Sequence, residues 1–341
     1  MVTGTMDSIT QLTLGAAVAL ATLSTKRGSK AKVALTGAVL GTLPDLDVLI
    51  DYGDVVSNMV LHRTESHALF YQTLVSPLLA WLAALCCNQR QYYRHWLLAT
   101  WLILVSHTGI DAMTVYGTQF GLPFSNTPFA VGSMFIIDPL YTLPLLFGVL
   151  WCLLSRHSRS YIANTAGLVV SSCYLLWSFA AQQYVTFIAT QNAEQQLNSH
   201  QQVLVTPAPL NTILWRIVVM KEDGYAEGFY SLFDSTEQID FTLILQDNSL
   251  KQRYAEVPAV RQLSWFSRGF YTLSQQGDSL LLTDLRMGQE GSYAFQFEVD
   301  PTNNKAVIQH PMRRDAALAL PWLWQRIWGV QLPSPYVTAA E

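Results

Sequence analysis

Two hydrophobic patterns divide the chain. Up to residue 187 the apolar residues fall in long runs, at Ile9–Ser24, Val33–Ile50 (which contains Pro44, Asp45 and Asp47), Ala68–Cys87, Trp96–Ile110, Leu140–Leu154 and Tyr161–Phe187. A helix crossing a bilayer needs about 20 such residues. Ala68–Cys87 has that length, Tyr161–Phe187 exceeds it but carries Gln182 and Gln183, and the other four have 15 to 18 residues. From about residue 190 the runs shorten and turn β-branched and aromatic, at Ile213–Met220, Ala226–Leu232, Ile239–Gln246, Gly269–Ser274, Ser279–Leu285 and Tyr293–Val299. Glu222-Asp-Gly224 and Gln276-Gly-Asp278 supply turn signals between them. The pattern predicts an α-helical multi-pass membrane domain of about six spans over residues 1–187. A mainly β, water-soluble domain over 188–341 follows it.

Charge sharpens this division. Only 13% of residues are charged, against about 25% in an ordinary soluble domain. The first 181 residues hold nine cations and eight acids, and the remainder holds 11 and 16. No basic patch has the density a nucleic-acid binder needs, and 50% apolar content excludes a disordered chain. If all six runs cross, Lys26, Arg27, Lys30, Lys32, Arg90, Arg94, Arg156 and Arg159 share one side, and Arg63 alone lies on the other. Cation excess marks the cytoplasmic side, so both termini and the β domain are expected outside the cytoplasm. The alternative is a soluble helical bundle with basic turns, which gives no reason for the cations to alternate. No Lys or Arg precedes Lys26, so the first run lacks the basic region of a cleavable signal. Cys86, Cys87, Cys152 and Cys173 sit in apolar runs without a C-x-x-C, which argues against a disulfide framework or a zinc ribbon.

The scarce ionisable residues then stand out. His62, His67, His107, Asp45, Asp47, Asp111 and Asp138 all fall at the non-cytoplasmic ends of the predicted spans. His107 and Asp111, four apart, share one helical face and can chelate one ion or form a hydrogen-bonded couple. His62 and His67, five apart, cannot converge from a regular helix, so His62 is expected in a loop and His67 in a first turn. Asp45 and Asp47 can face one site only if the chain is irregular, which Gly41 and Pro44 permit. The alternative for these carboxylates is a helix end emerging into water. Ionisable residues at membrane depth are costly and tend to be paired and functional. Together they make a mixed N/O donor set suited to one or two divalent ions of Zn, Mn or Fe. Without thiolates, an open hydrolytic site is favoured over a closed structural one. Ser66 and Ser106 each precede a histidine, but neither is framed as G-x-S-x-G, and neighbours on a helix diverge by about 100°. A serine nucleophile is therefore disfavoured.

The ordered motifs Met6-Asp-Ser-Ile-Thr-Gln11, Gly41-Thr-Leu-Pro-Asp-Leu-Asp47, His62-Arg-Thr-Glu-Ser-His67, His107-Thr-Gly-Ile-Asp111, Tyr116–Ser125 and Asp138–Pro144 carry a resemblance. Over residues 6–145 the chain resembles the YdjM-type family of predicted inner-membrane, metal-dependent hydrolases. The likeness continues more loosely into Pro209–Trp215 and Gly228–Asp234. It implies a bacterial inner-membrane protein with a periplasmic β domain and Asp45, Asp47, His62, His67, His107 and Asp111 as metal ligands. Many members carry His where this chain has Gln11, Gly at the position of Thr64 and Ser at that of Ala68. An amide is the weaker ligand. The resemblance also places the start of translation at Met6.

Two functions follow. In the first, metal-activated water attacks an ester or phosphoester substrate, a small molecule or a lipid-linked one, at the outer face of the inner membrane. Arg63 would stabilise an oxyanion or phosphoryl group, with a partner role for Glu65 or a lipid headgroup as the alternative, and Asp138 would orient or add a ligand. In the second, the protein is a non-enzymatic metal-stabilised scaffold or transporter whose β domain is an interaction module. Transport is the weaker form, because the ligands gather at one face and no inverted repeat is visible. The tail Pro321–Trp328 reads either as an interfacial helix on the bilayer or as a helix packed on the β domain. The bilayer is the one partner the sequence names.

Overall fold

The computed structural model describes residues 8–23, 29–155, 157, 159–197, 202–247, 249–301, 305–312 and 315–336. The expected start at Met6 and the cations Lys26, Arg27 and Arg156 lie outside them. Seven helices come first: α1 (Ser8–Leu23), α2 (Lys30–Thr42), α3 (Val55–Val60), α4 (Leu69–Cys86), α5 (Tyr93–Met113), α6 (Pro139–Leu154) and α7 (Ser160–Leu197). Leu69–Cys86, Arg90–Met113 and Ser160–Leu197 are long and apolar enough to cross a membrane, whereas α1 and α6 are apolar but shorter. The second expected span differs most: α2 ends at Thr42, and Pro44 opens a 3-10 turn through Leu49. Proline lacks the N–H that would continue the helix.

The described residues form two compact units. One joins residues up to Ile50 with His62–Ser178, and the other joins Asp51–Leu61 with the chain from Phe179 onward. In the helical unit, α1 and α2 meet through glycines. A Cβ on Gly15 would lie 2.2 Å from the Gly37 carbonyl oxygen, and one on Gly41 would lie 2.6 Å from that of Gln11. Such small-residue contacts let backbones approach closely where lipid offers no hydrophobic driving force. Leu14, Ala17, Leu20, Ala80, Trp96, Ile103 and Leu145 fill the core beside them.

In the second unit, β1 (Val203–Pro207), β2 (Leu214–Lys221), β3 (Gly224–Ser231) and β4 (Thr242–Leu245) form an antiparallel sheet in that order. The chain continues through α8 (Ser249–Arg253), α9 (Pro258–Phe266), β5 (Tyr271–Gln276), β6 (Ser279–Asp284), β7 (Gly288–Gln289), β8 (Ser292–Tyr293), β9 (Gln296–Asp300), β10 (Lys305–His310) and α10 (Ala316–Ile327). A second antiparallel sheet runs β10-β9-β6-β5, and β7 pairs with β8. Trp215, Ile217 and Val219 on one face of β2 pack against Val185, Ile188 and Ala189 of α7. On its other face Val218 and Met220 pack with Phe270, Leu285 and Tyr293. Burial on both faces explains why β2 reads as a continuous apolar run rather than an alternation. Ser57 of α3 donates to Gln262 of α9 at 3.2 Å within this unit. The tail helix α10 packs on the sheet: Trp322 and Leu323 are buried beside Ala208 and Leu214, and Arg326 pairs with Asp234 at 2.6 Å.

Candidate metal centre

Three irregular chain features and one regular helix build the site. The 3-10 turn after α2 carries Asp45 and Asp47, a second one at Glu65–His67 carries His67, and α5 presents His107 and Asp111 on one face. Gln72 fixes the second turn against α5, donating to the Ser66 carbonyl at 3.0 Å and to the Thr108 hydroxyl at 2.8 Å. The loop after α5 adds backbone bonds from Gln119 N–H to the Arg63 carbonyl and from Leu69 N–H to the Phe120 carbonyl.

Four donor atoms converge from these elements. His67 Nε2 lies 3.0 Å from Asp111 Oδ2 and 3.6 Å from Asp45 Oδ1. His107 Nε2 lies 3.3 Å from Asp111 Oδ2 and 3.4 Å from Asp45 Oδ1. The two Nε2 atoms are 3.1 Å apart, and all four ligand atoms lie within 4.8 Å of one another. A cation with bonds of about 2.1 Å and tetrahedral ligands sets donors about 3.4 Å apart. The spacing therefore fits a first-row divalent ion.

Hydrogen bonding explains why these four atoms carry free lone pairs. The Gly41 carbonyl can only accept, so His107 Nδ1, 2.7 Å away, donates to it and leaves Nε2 unprotonated. The Ser66 hydroxyl donates to Asp47 Oδ2 at 2.6 Å and so accepts from His67 Nδ1 at 2.8 Å. In the neutral His67 ring Nε2 is then the free nitrogen as well, so two imidazole lone pairs face each other once the competing proton is displaced. Asp45 Oδ1 and Asp111 Oδ2 are buried and accept no directed hydrogen bond. Asp111 Oδ1, by contrast, receives Gln11 Nε2 and Arg63 Nη2, both at 3.1 Å. His67, His107 and Asp111 are each oriented from behind, as metal ligands commonly are.

Electrostatics point the same way. Asp45, Asp47 and Asp111 against Arg63 leave a formal charge of two negative when the imidazoles are neutral. Burying such an excess is costly unless a cation balances it. A proton is the competing cation. Burial pushes the His67 pKa down, but contacts from Asp111, Asp45 and Asp47 override that and hold it at about 10.

The other expected site residues stand outside the four donors. His62 Nδ1 sits 2.6 Å from Asp47 Oδ1, and Asp47 Oδ2 is 3.5 Å from His67 Nδ1, so both form a layer behind His67. Arg63 is buried and adopts a positive φ of 65°, a strained conformation for a residue with a Cβ. Its N–H donates to Asp47 Oδ2 at 2.9 Å, and its guanidinium lies 4.9 Å from the Tyr116 ring centre. Asp138 is fully buried, caps α6 through Leu140 N–H at 3.0 Å and accepts the Tyr174 hydroxyl at 2.7 Å. The sequence raises Ser66 as a disfavoured nucleophile and not as a relay; its adjacency to His67 is the signal for the relay. Nothing in the sequence marks the Gly41 carbonyl. His67, His107 and Asp111 are buried, and only Asp45, with 17% of its side chain exposed, opens toward the outside.

Comparison with known proteins adds one match. The family model described as YdjM inner membrane protein matches residues 6–185. No curated protein and no solved structure matches the chain.

Proposed function

Because the chain belongs to the YdjM inner membrane protein family, we propose that it is a membrane-bound, metal-dependent hydrolase of ester or phosphoester substrates, lipid-linked ones included. The observation that carries this reading is the convergent set of Asp45, His67, His107 and Asp111 donors, free of thiolates and open at Asp45. A divalent cation held there would supply the Lewis acidity that activates water at neutral pH. His67, His107, Asp45 and Asp111 would hold it. Asp47, through Ser66, keeps the His67 proton on Nδ1, and His62 braces Asp47. Arg63 and Gln11 engage the far oxygen of Asp111 and turn the near one inward.

In this reading all six apolar segments cross the bilayer, the short ones as tilted or partly embedded helices. The basic loops face the cytoplasm, and the donor cluster and the β unit lie on the periplasmic side. A reporter fused after Glu341 tests that side: periplasmic signal supports it and cytoplasmic signal refutes it.

Metal analysis of the purified full-length protein, followed by a panel of ester and phosphoester substrates, tests the activity. One equivalent of Zn, Mn or Fe, lost in His107→Ala and Asp111→Ala together with turnover, supports the reading. Two equivalents would bring Asp47 and His62 into ligation. Metal-free protein that still turns over substrate sinks the site. Full metal occupancy without turnover on any ester favours the scaffold function instead.

A further inference from the structure

The tail helix has two apolar faces. Trp322, Leu323 and Arg326 are buried against the sheet, while Leu320, Trp324 and Trp328, spaced four apart, face outward. Trp324 and Trp328 are 64% and 56% exposed, and Phe233, 52% exposed, stacks on Trp328 with ring centres 5.3 Å apart and planes at 5°. Trp324 meets Trp328 edge-on at 5.7 Å. Val330 extends the patch, and no ionisable side chain stands on the stripe of Leu320, Trp324 and Trp328. A helix apolar on every side belongs in a core or a membrane, and a large exposed apolar patch marks an interaction surface.

The place of this patch within the β unit says which surface covers it. β1 runs back along α7, and Gln182 Nε2 donates to the Val205 carbonyl at 3.1 Å. Pro207 pairs with Trp215, and Leu214 pairs with Ser231, so the sheet end bearing Pro207, Leu214 and Ser231 is the end at which α7 arrives. Phe233 follows Ser231 by two residues. At the same end Ile327 accepts from the Ser231 hydroxyl at 2.5 Å, and a Cβ on Gly329 would meet the Phe233 carbonyl oxygen. Helix α7, Ser160–Leu197, is one of the three helices long and apolar enough to span a membrane. An aromatic cluster at the level where a span leaves the bilayer matches the aromatic belts that sit among lipid headgroups.

We propose that Phe233, Leu320, Trp324, Trp328 and Val330 form a second membrane contact, seating the β unit on the lipid surface from which α7 emerges. The partner is the glycerol and carbonyl layer of the bilayer, recognised by flat amphipathic rings rather than by charge. Contact at both α7 and α10 fixes the β unit against the leaflet, whereas contact at α7 alone leaves it free to swing.

Nitroxide labels test this in the full-length protein, with Cys86, Cys87, Cys152 and Cys173 replaced by alanine, in phosphatidylcholine–phosphatidylglycerol bilayers. Leu320→Cys and Trp324→Cys carry the probes, and Asp223→Cys, in the β2–β3 turn at the opposite end of the same sheet, is the water-facing reference. The expected result is a severalfold lower collision rate with a water-soluble nickel chelate at 320 and 324 than at 223, and a higher rate with oxygen. Nickel collision equal to that at 223 overturns the proposal, because the patch then faces water. Shielding from both reagents also overturns it, because a protein then covers the patch. A second measurement leaves the native cysteines in place. Lipids brominated near the carbonyl should quench a smaller share of the tryptophan emission in Trp324→Phe and Trp328→Phe than in the parent, and an unchanged share refutes the contact.

Discussion

Ser66→Ala isolates the relay behind His67. The hydroxyl makes two short bonds, 2.8 Å from His67 Nδ1 and 2.6 Å to Asp47 Oδ2. Its removal leaves Asp47 Oδ2 at 3.5 Å from the ring nitrogen, beyond the usual limit of about 3.2 Å. Without either bond, nothing holds the proton on Nδ1 or the ring in its plane. Losing a hydrogen-bond partner of a metal ligand costs about 10- to 100-fold in metal affinity, or about 1.4 to 2.7 kcal/mol. That range agrees with the roughly 1.5 to 3 kcal/mol carried by a hydrogen bond to a charged group. Asp47→Ala should cost more, because it also strips the acceptor from Arg63 N–H and the partner from His62. The double variant should match Asp47→Ala alone within about 0.5 kcal/mol, since both changes cut one path. Competition between the detergent-purified protein and a chromogenic chelator reads the affinities, and unchanged circular dichroism certifies the fold. The reasoning fails if Ser66→Ala binds metal within twofold of the parent while His67→Ala does not bind. His67 would then be a ligand oriented by something other than the hydroxyl.

Two further outcomes follow from the same structure. Metal affinity should rise by about tenfold per pH unit through the neutral range, because each ion displaces one proton. The pKa of His67 is raised to about 10 without a cation, so the proton is present below that value and competes; isothermal titration in buffers of different protonation enthalpy reads the released proton, and binding without any release would refute the competition. In the bundle, Gly37→Ala places a Cβ 2.5 Å from both the Gly15 carbonyl oxygen and the Ala19 Cβ, and should cost about 1 to 3 kcal/mol. Gly109→Ala on α5 meets nothing within 4 Å and should gain up to about 1 kcal/mol of helix preference; equal unfolding midpoints for the two variants would refute the packing argument.

The parts of this architecture that are legible in sequence are those set by local pattern. The i,i+4 spacing alone puts His107 and Asp111 on one face of α5, and Pro44 alone announces the irregular turn that brings Asp45 and Asp47 out of α2. The hairpin of β2 and β3 is visible in its Glu-Asp-Gly turn, where Gly224 takes a φ of 143°. What depends on tertiary contact is not legible. Tyr293–Val299 reads as one strand, yet it is split between β8, where Tyr293 pairs with Gly288, and β9, where Gln296 pairs with Thr283. Strands β1 and β10 each hold only one run of three apolar residues, Val203–Val205 and Ala306–Ile308, too short to announce a strand. Nothing local shows that Asp51–Leu61, between the two ligand-bearing turns, belongs to the β unit. Within the site, spacing cannot separate His67 from His62, since the distinction lies in which ring nitrogen each neighbour occupies.

Gln11 shows how such a cluster is held by a side chain that adds no ligand. The amide donates to Asp111 Oδ1 at 3.1 Å, the oxygen that Arg63 also occupies. That oxygen is not one of the four convergent atoms, so Gln11 orients Asp111 without joining the donor set. Asp111 gains a neutral donor that locks its orientation, and the balance of three carboxylates against one guanidinium is unchanged. The charge that calls for a divalent ion therefore resides in Asp45, Asp47, Asp111 and Arg63. Side chains such as Gln11 decide only how firmly those groups are held.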